Sequence, residues 1–362
     1  RTQNHRCDGL ARAMACGICL LHVLAAPFAP IIVGMVTSAV NSLGVDHVVT
    51  APDWLAPALS ALPEPALAGA GLHEFWRDGV VVARRVIPNA TILQALRTAS
   101  LKCNEHKFYL NSNGWAHNSV YRSLVRDGPL GALASAALNG SAVRIFSSKQ
   151  FYAKPSEGGA ANMTLDGMAA HLDVQGDVRS VVPLVTVWLA LTNCPHAVRF
   201  LAGSHRAYRC NRPGFNSALP PEDRRCLSAL EGELSAARGG PAWVSHDLAA
   251  GDALVFLAQV WHEAVLQPRE RTALALRFVP ADLPFAGVVS EDLDVAQFAS
   301  YAPEECAPLA ASPLFPLVHP RDRCNVDAQP WPLLPKWRDM LGLPLRKRLY
   351  GSWDAFRECP PA

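Results

Sequence analysis

The chain has 362 residues, half of them hydrophobic and only 18% charged. That is enough apolar material for one large or two modest folded domains, and it excludes wholesale disorder. The formal charge is +2 and the only compact basic run is Arg346-Lys347-Arg348, so nucleic acid is not an expected partner.

From Ala13 to Val40 there is no charged residue, and Arg1, Arg6 and Arg12 precede the run. Its length suffices for a membrane span, but Pro27 and Pro30 interrupt it, and Ala13–Ala26 has the size of a secretory core region. A targeting segment, a membrane anchor and a buried helix all fit residues 1–40. Targeting to an organelle or the secretory pathway, or membrane association through residues 13–40, is preferred over burial. Cys16 and Cys19 lie inside this apolar run with no second pair at metal spacing, and read as small buried residues. Cys210, Cys226, Cys306, Cys324 and Cys359 fall in irregular C-terminal stretches and can pair in an oxidising compartment.

Residues 41–71 are rich in Ala, Pro and Leu and read as a linker. A short helix is predicted from Leu72, ending at Gly79, where glycine takes the left-handed cap. Val80–Val86 then reads as a strand, and Pro88-Asn89-Ala90-Thr91 opens a helix to about Lys102. Gly128–Leu138 is a further helix. Val143–Phe146 and Gln150–Lys154 read as two strands around Ser147-Ser148, and Val181–Leu191 as an apolar strand. Residues 211–241 look like a surface insertion with a helix over Glu222–Ala237, and strands return from Trp243 to Val279. After Pro280 the chain is irregular and Pro-rich to its end. Many short strands with helices gathered N-terminally predict a mainly β (α+β) jelly roll spanning residues 72–282, followed by an irregular extension, 283–362.

Within that frame His171-Leu172-Asp173 stands out. Residues two apart in an extended segment point to one face, so the imidazole and the carboxylate can meet at one point. A second histidine arrives far downstream in Trp261-His262, and Arg271 opens the strand that follows. Two histidines and a carboxylate on one face of an octahedron hold Fe(II) and leave adjacent positions open. A 2-oxo acid can chelate two of these and dioxygen can take the third. The distal carboxylate of the oxo acid needs a cation, and a guanidinium matches it bidentately. If the chain reverses between Leu266 and Gln267, His262 lies directly opposite Arg271 in a hairpin and the two share a side. Arg269 has the same parity and is the alternative clamp.

The pieces Phe75–Val82, Val143–Phe146 with Phe151–Pro155, His171-Leu172-Asp173, Val187–Leu191, Phe200–Arg206, Gly251–Phe256, His262 and Arg271–Phe278 occur together in a fixed order. Over Leu72–Pro280 the chain resembles the phytanoyl-CoA dioxygenase family of Fe(II)- and 2-oxoglutarate-dependent oxygenases. The resemblance implies a double-stranded β-helix (jelly roll, cupin-like) with supporting N-terminal helices. It implies iron on His171, Asp173 and His262, and the distal carboxylate of 2-oxoglutarate on Arg271. Lys154 then lines the cosubstrate pocket. Relatives that halogenate lack the carboxylate, so Asp173 favours hydroxylation of a small or lipid-like molecule. The chain departs from the family at Ala264, where a small hydroxyl residue is usual, and at Cys194-Pro195-His196-Ala197, where Glu-Asn-Gly is usual.

Other readings of these residues compete. A zinc hydrolase could use His171, Asp173 and His262 to activate water, with Glu263 as its base. A non-catalytic jelly-roll binding module would hold no metal. His205, His246 and His22 read as structural or incidental. Trp188 and Trp261 flank the metal strands as core aromatics, with pocket lining as their second role.

Overall fold

The computed structural model describes residues 51–65, 67, 69–104, 115, 118–153, 170–173, 184–207, 210, 221–265, 270–283, 315 and 317–320. Helices α1 (Leu55–Ser60), α2 (Ala70–Asp78), α3 (Ala90–Asn104), α4 (Ser119–Asp127) and α5 (Leu130–Ala137) precede or flank the first strands. Strands β1 (Val80–Ala83), β2 (Val143–Ala153), β3 (Val185–Ala190), β6 (Ala253–Leu257), β8 (Arg271–Pro280) and β9 (Leu317–His319) form a six-stranded sheet in the order β1-β6-β3-β8-β2-β9. Strands β4 (Val198–Leu201), β5 (Trp243–Ser245) and β7 (His262–Ala264) form a second sheet in the order β5-β4-β7. Helix α6 (Pro221–Arg238) lies in the predicted insertion. All strand pairings are antiparallel. The architecture is the mainly β jelly roll expected from the sequence.

Side-chain alternation explains the layering. All six residues of β3 are buried, because both faces of its sheet are covered. Val185, Val187 and Leu189 join the core formed with Leu96, Leu124 and Leu133 of the helices. Trp188 and Ala190 point the other way, into a cluster with Leu254, Phe256, Ala273, Ala275 and the second sheet's Phe200. The helices therefore back the large sheet, and the small sheet closes over its inner face.

Local signals match the elements they predict. Gly79 ends α2 at φ 83° with its N–H on the carbonyl of Phe75. A Cβ there would meet His205 Nδ1 at 2.6 Å, so glycine is required by backbone and space together. Asn89 accepts hydrogen bonds from the amides of Thr91 (2.9 Å) and Ile92 (3.2 Å), which caps α3.

Three readings need correction. Part of the stretch taken as linker is structural, because α1 buries Leu55 and Leu59 completely in the helix-side core and the amide of Ala51 donates to Ser119 Oγ. Residues 143–153 form one strand, with a bulge between Ile145 and Ser147, where two strands were expected. The C-terminal extension is not wholly irregular: β9 pairs with the start of β2, and Phe315 stacks on Phe146 with ring centroids 5.5 Å apart. Among the cysteines, Cys210 and Cys226 form a disulfide that ties α6 to the segment after β4. No helix among the described residues is long and apolar enough to cross a membrane, and residues 13–40 lie outside the described residues.

Helix α6 is also held by charge. Asp78, at the end of α2, accepts from Arg77 (Nε 3.0 Å, second nitrogen 2.7 Å) and from Arg238 (2.6 Å). Burial alone would raise this carboxyl, but the hydrogen bonds from Arg77 and Arg238 outweigh it and hold it below the usual range. Asp78→Ala should cost about 2 kcal/mol at neutral pH, the guanidiniums being partly solvated. Because the folded value lies below the unfolded one of about 3.9, the contribution is complete above that value. It disappears as pH falls through the folded value. Urea unfolding of both proteins at pH 7 and pH 3 checks this, and the difference between them should shrink in acid.

Candidate metal centre

The segment 170–173 crosses from one sheet to the other. His171 bridges to β7, with its amide on the carbonyl of His262 (2.8 Å) and the reverse bond at 3.0 Å. The Asp173 amide donates to the Ala258 carbonyl (3.0 Å). These backbone bonds set His171 and His262 side by side, ring centroids 4.2 Å apart, with Asp173 Oδ1 3.9 Å from His262 Nε2. One ligand atom from each of His171, Asp173 and His262 lies within 4.8 Å of the others, and all three residues are buried. Among the described residues this is the only such group.

The electrostatics of the three groups follow from burial and their neighbours. His262 Nδ1 donates to the Val260 carbonyl at 3.0 Å, which leaves Nε2 as a lone-pair donor facing the triad. Burial lowers the His262 imidazole, against the pull of Asp173, and so favours the neutral ring. For Asp173 burial is the largest influence and acts upward. The Arg277 guanidinium, together with His262 and His171, overcomes it and holds the carboxyl well below the usual carboxylate range. Thr186 Oγ1 donates to Oδ2 at 2.6 Å, and Arg277 donates to Oδ1.

The pocket in front of the triad is lined by Lys149, Phe151, Trp188, Val198, Ala275 and Arg271 among others. Arg271 is 4% exposed and donates to the carbonyls of Ala197 (3.0 Å) and Val265 (3.3 Å). It shares the pocket with His262, but not as the expected hairpin partner. Strand β7 pairs with β4, whereas β8 pairs with β2 and β3. The chain therefore changes sheets between the two residues, and they reach the same pocket from different sheets. Trp188 lines the pocket, but Trp261 does not: it is 1% exposed and packs in the helix-side core. Lys154 and Arg269 lie outside the described residues; among the described residues the lysine that lines the pocket is Lys149.

Two partners of Asp173, Arg277 and Thr186, escaped the sequence reading. Their signal was parity. In Arg271-Thr-Ala-Leu-Ala-Leu-Arg277, the positions sharing a face with Arg271 are Ala273, Ala275 and Arg277, so β8 presents arginines at both ends of a small-residue floor. Thr186 shares a face with Trp188 in the same way. Glu263, the base that a hydrolase would need, sits between His262 and Ala264 and points to the opposite face. There it pairs with Arg199, whose guanidinium lies 4.8 Å over the Trp243 ring. His205 behaves as a structural residue, with Nε2 donating to the Trp76 carbonyl at 3.2 Å.

Among solved structures, the chain is similar to the non-heme alpha ketoglutarate dependent carbocyclase SnoK from nogalamycin biosynthesis. The TM-score is 0.53 and the identity 21%, over 71% of this chain and 98% of that one. The non-heme alpha ketoglutarate dependent epimerase SnoN from the same biosynthesis gives a TM-score of 0.50 at 18% identity, over 68% of this chain and 94% of that one. The likeness is one of fold. No protein-family model and no curated protein matches the chain.

Proposed function

We propose that the chain is an Fe(II)- and 2-oxoglutarate-dependent oxygenase that hydroxylates a C–H bond of a small or lipid-like molecule. The observation that carries this reading is the convergence of His171, Asp173 and His262 in a pocket that Arg271 also lines. Two imidazoles and one carboxylate suit Fe(II) and leave part of its coordination sphere open. Bound there with 2-oxoglutarate and dioxygen, the metal would supply an oxidant, with succinate and carbon dioxide as co-products.

The residues divide the remaining work. Arg271 would receive the distal carboxylate of 2-oxoglutarate, and its desolvated position makes that pairing strong. Thr186 fixes the carboxylate of Asp173, and Val260 fixes the ring of His262. Phe151, Trp188 and Val198 provide an apolar wall for the substrate and help to exclude water. SnoK and SnoN are named as a carbocyclase and an epimerase, so this fold serves outcomes other than hydroxylation. Hydroxylation is favoured here by the family resemblance and by the presence of Asp173. The Cys210–Cys226 disulfide supports the reading in which the chain enters an oxidising compartment.

The test is an anaerobic titration of metal-free protein with Fe(II) and 2-oxoglutarate. A weak visible charge-transfer band is expected only when both are present, followed by succinate production on admitting oxygen. Binding of zinc with hydrolytic turnover and no band would favour the hydrolase. Absence of binding by any divalent ion would favour a metal-free module.

A further inference from the structure

Arg277 is 3% exposed and lies on the same face of β8 as Arg271. Its guanidinium holds Asp173 Oδ1, the oxygen 3.9 Å from His262 Nε2, while Thr186 holds Oδ2. Both carboxylate oxygens are thus engaged, and the one beside the imidazole is engaged by a cation. The two side chains are 4% and 2% exposed, so water screens this pair little. A divalent ion arriving between His171, Asp173 and His262 would set a second cation against the same carboxylate in a buried space.

We propose that Arg277 is the resident counter-ion of this site: it neutralises Asp173 when no metal is bound and lowers the site's affinity for divalent metal. The inference rests on the reading of His171, Asp173 and His262 as metal ligands. Arg277 is then a positioning residue that acts through Asp173. Without it the metal-free protein would bury a carboxylate that keeps the Thr186 hydrogen bond but loses the guanidinium, which is destabilising. The bound metal would meet one positive neighbour fewer. A residue that merely aimed the carboxylate would have the opposite effect, since its loss would weaken metal binding. The two roles are therefore separated by the sign of one change.

The experiment titrates Co(II), whose visible absorption reports its ligand field, into metal-free wild type, Arg277→Met and Arg277→Lys. Arg277→Met should bind Co(II) about tenfold tighter or more, from the loss of a nearby unit charge in a poorly screened site. Arg277→Lys, which keeps the charge, should stay within about threefold of wild type on the same ground. Metal-free Arg277→Met should melt below wild type, and saturating Co(II) should narrow that gap, because a ligand binding only the native state stabilises it. Unchanged or weaker Co(II) binding by folded Arg277→Met overturns the proposal. If that variant folds only with Co(II), the proposal stands; if it stays unfolded with and without Co(II), the proposal falls. A wild-type protein that binds no Co(II) removes the metal-site reading itself. Normal wild-type binding with the wrong sign in Arg277→Met removes this inference alone.

Discussion

Asp173→Ala protein should bind Fe(II) at least about a hundredfold more weakly than wild type, and its succinate release should fall to the rate of protein-free iron. Loss of a residue that merely supports a metal ligand already costs about 10–100-fold, and here one of the three proposed protein donors is removed. The substitution has a second cost, because it leaves the Arg277 guanidinium buried without its carboxylate. Breaking such a pair from one side costs about 3–5 kcal/mol. A loss of activity could then reflect unfolding rather than lost coordination. The double variant Asp173→Ala/Arg277→Met separates the two, since removing both charges should recover much of the stability and none of the metal-dependent turnover. Urea unfolding gives the first quantity, and equilibrium dialysis with Fe(II) under nitrogen gives the second. Wild-type succinate release from folded Asp173→Ala would dismiss the assignment.

Arg271→Leu should leave Fe(II) binding unchanged and raise the KM for 2-oxoglutarate by about thirtyfold or more. That factor follows from the roughly 2–5 kcal/mol lost when one partner of a buried, hydrogen-bonded charge pair is truncated. Two features place the effect at Arg271. It is buried in the pocket, and position 264 carries alanine, so no hydroxyl there can share the carboxylate. Arg271→Lys should restore only part of the loss, because an ammonium cannot reproduce the planar fork. Steady-state kinetics with 2-oxoglutarate varied at saturating Fe(II) decides the matter. An unchanged KM would mean that the clamp lies elsewhere.

Much of the fold could be read in advance because its signals were local. Gly79 and Asn89 mark a helix end and a helix start through their own backbone and side-chain chemistry. The alternation within β3 and β8 separates helix-facing from pocket-facing residues. The segments that escaped notice depend on distant partners. Helix α1 is short and proline-containing, and what holds it is the burial of Leu55 and Leu59. Strand β9 exists because β2 offers it an edge. The site was legible in its residue types, whereas the relation of His262 to Arg271 was not. Their spacing fits a tight hairpin, and only the three-dimensional arrangement shows that β7 pairs with β4 instead. Trp261 takes the first of its two expected roles, that of a core aromatic, and not the second, pocket lining.

On the proposed reading, the antiparallel neighbours of β8 bear on cosubstrate choice. Arg271 and Arg277 are fixed to one extended strand whose register is held on both sides, by β2 and by β3. At about 3.4 Å per residue their backbones stand about 20 Å apart, and no loop can alter that interval. On the proposed reading the strand is a ruler, with the carboxylate grip at one mark and the anchor of Asp173 at the other. Discrimination between a five-carbon oxo diacid and a shorter homologue would then be written into backbone pitch. It would survive changes to the intervening alanines and fail on insertion of a single residue.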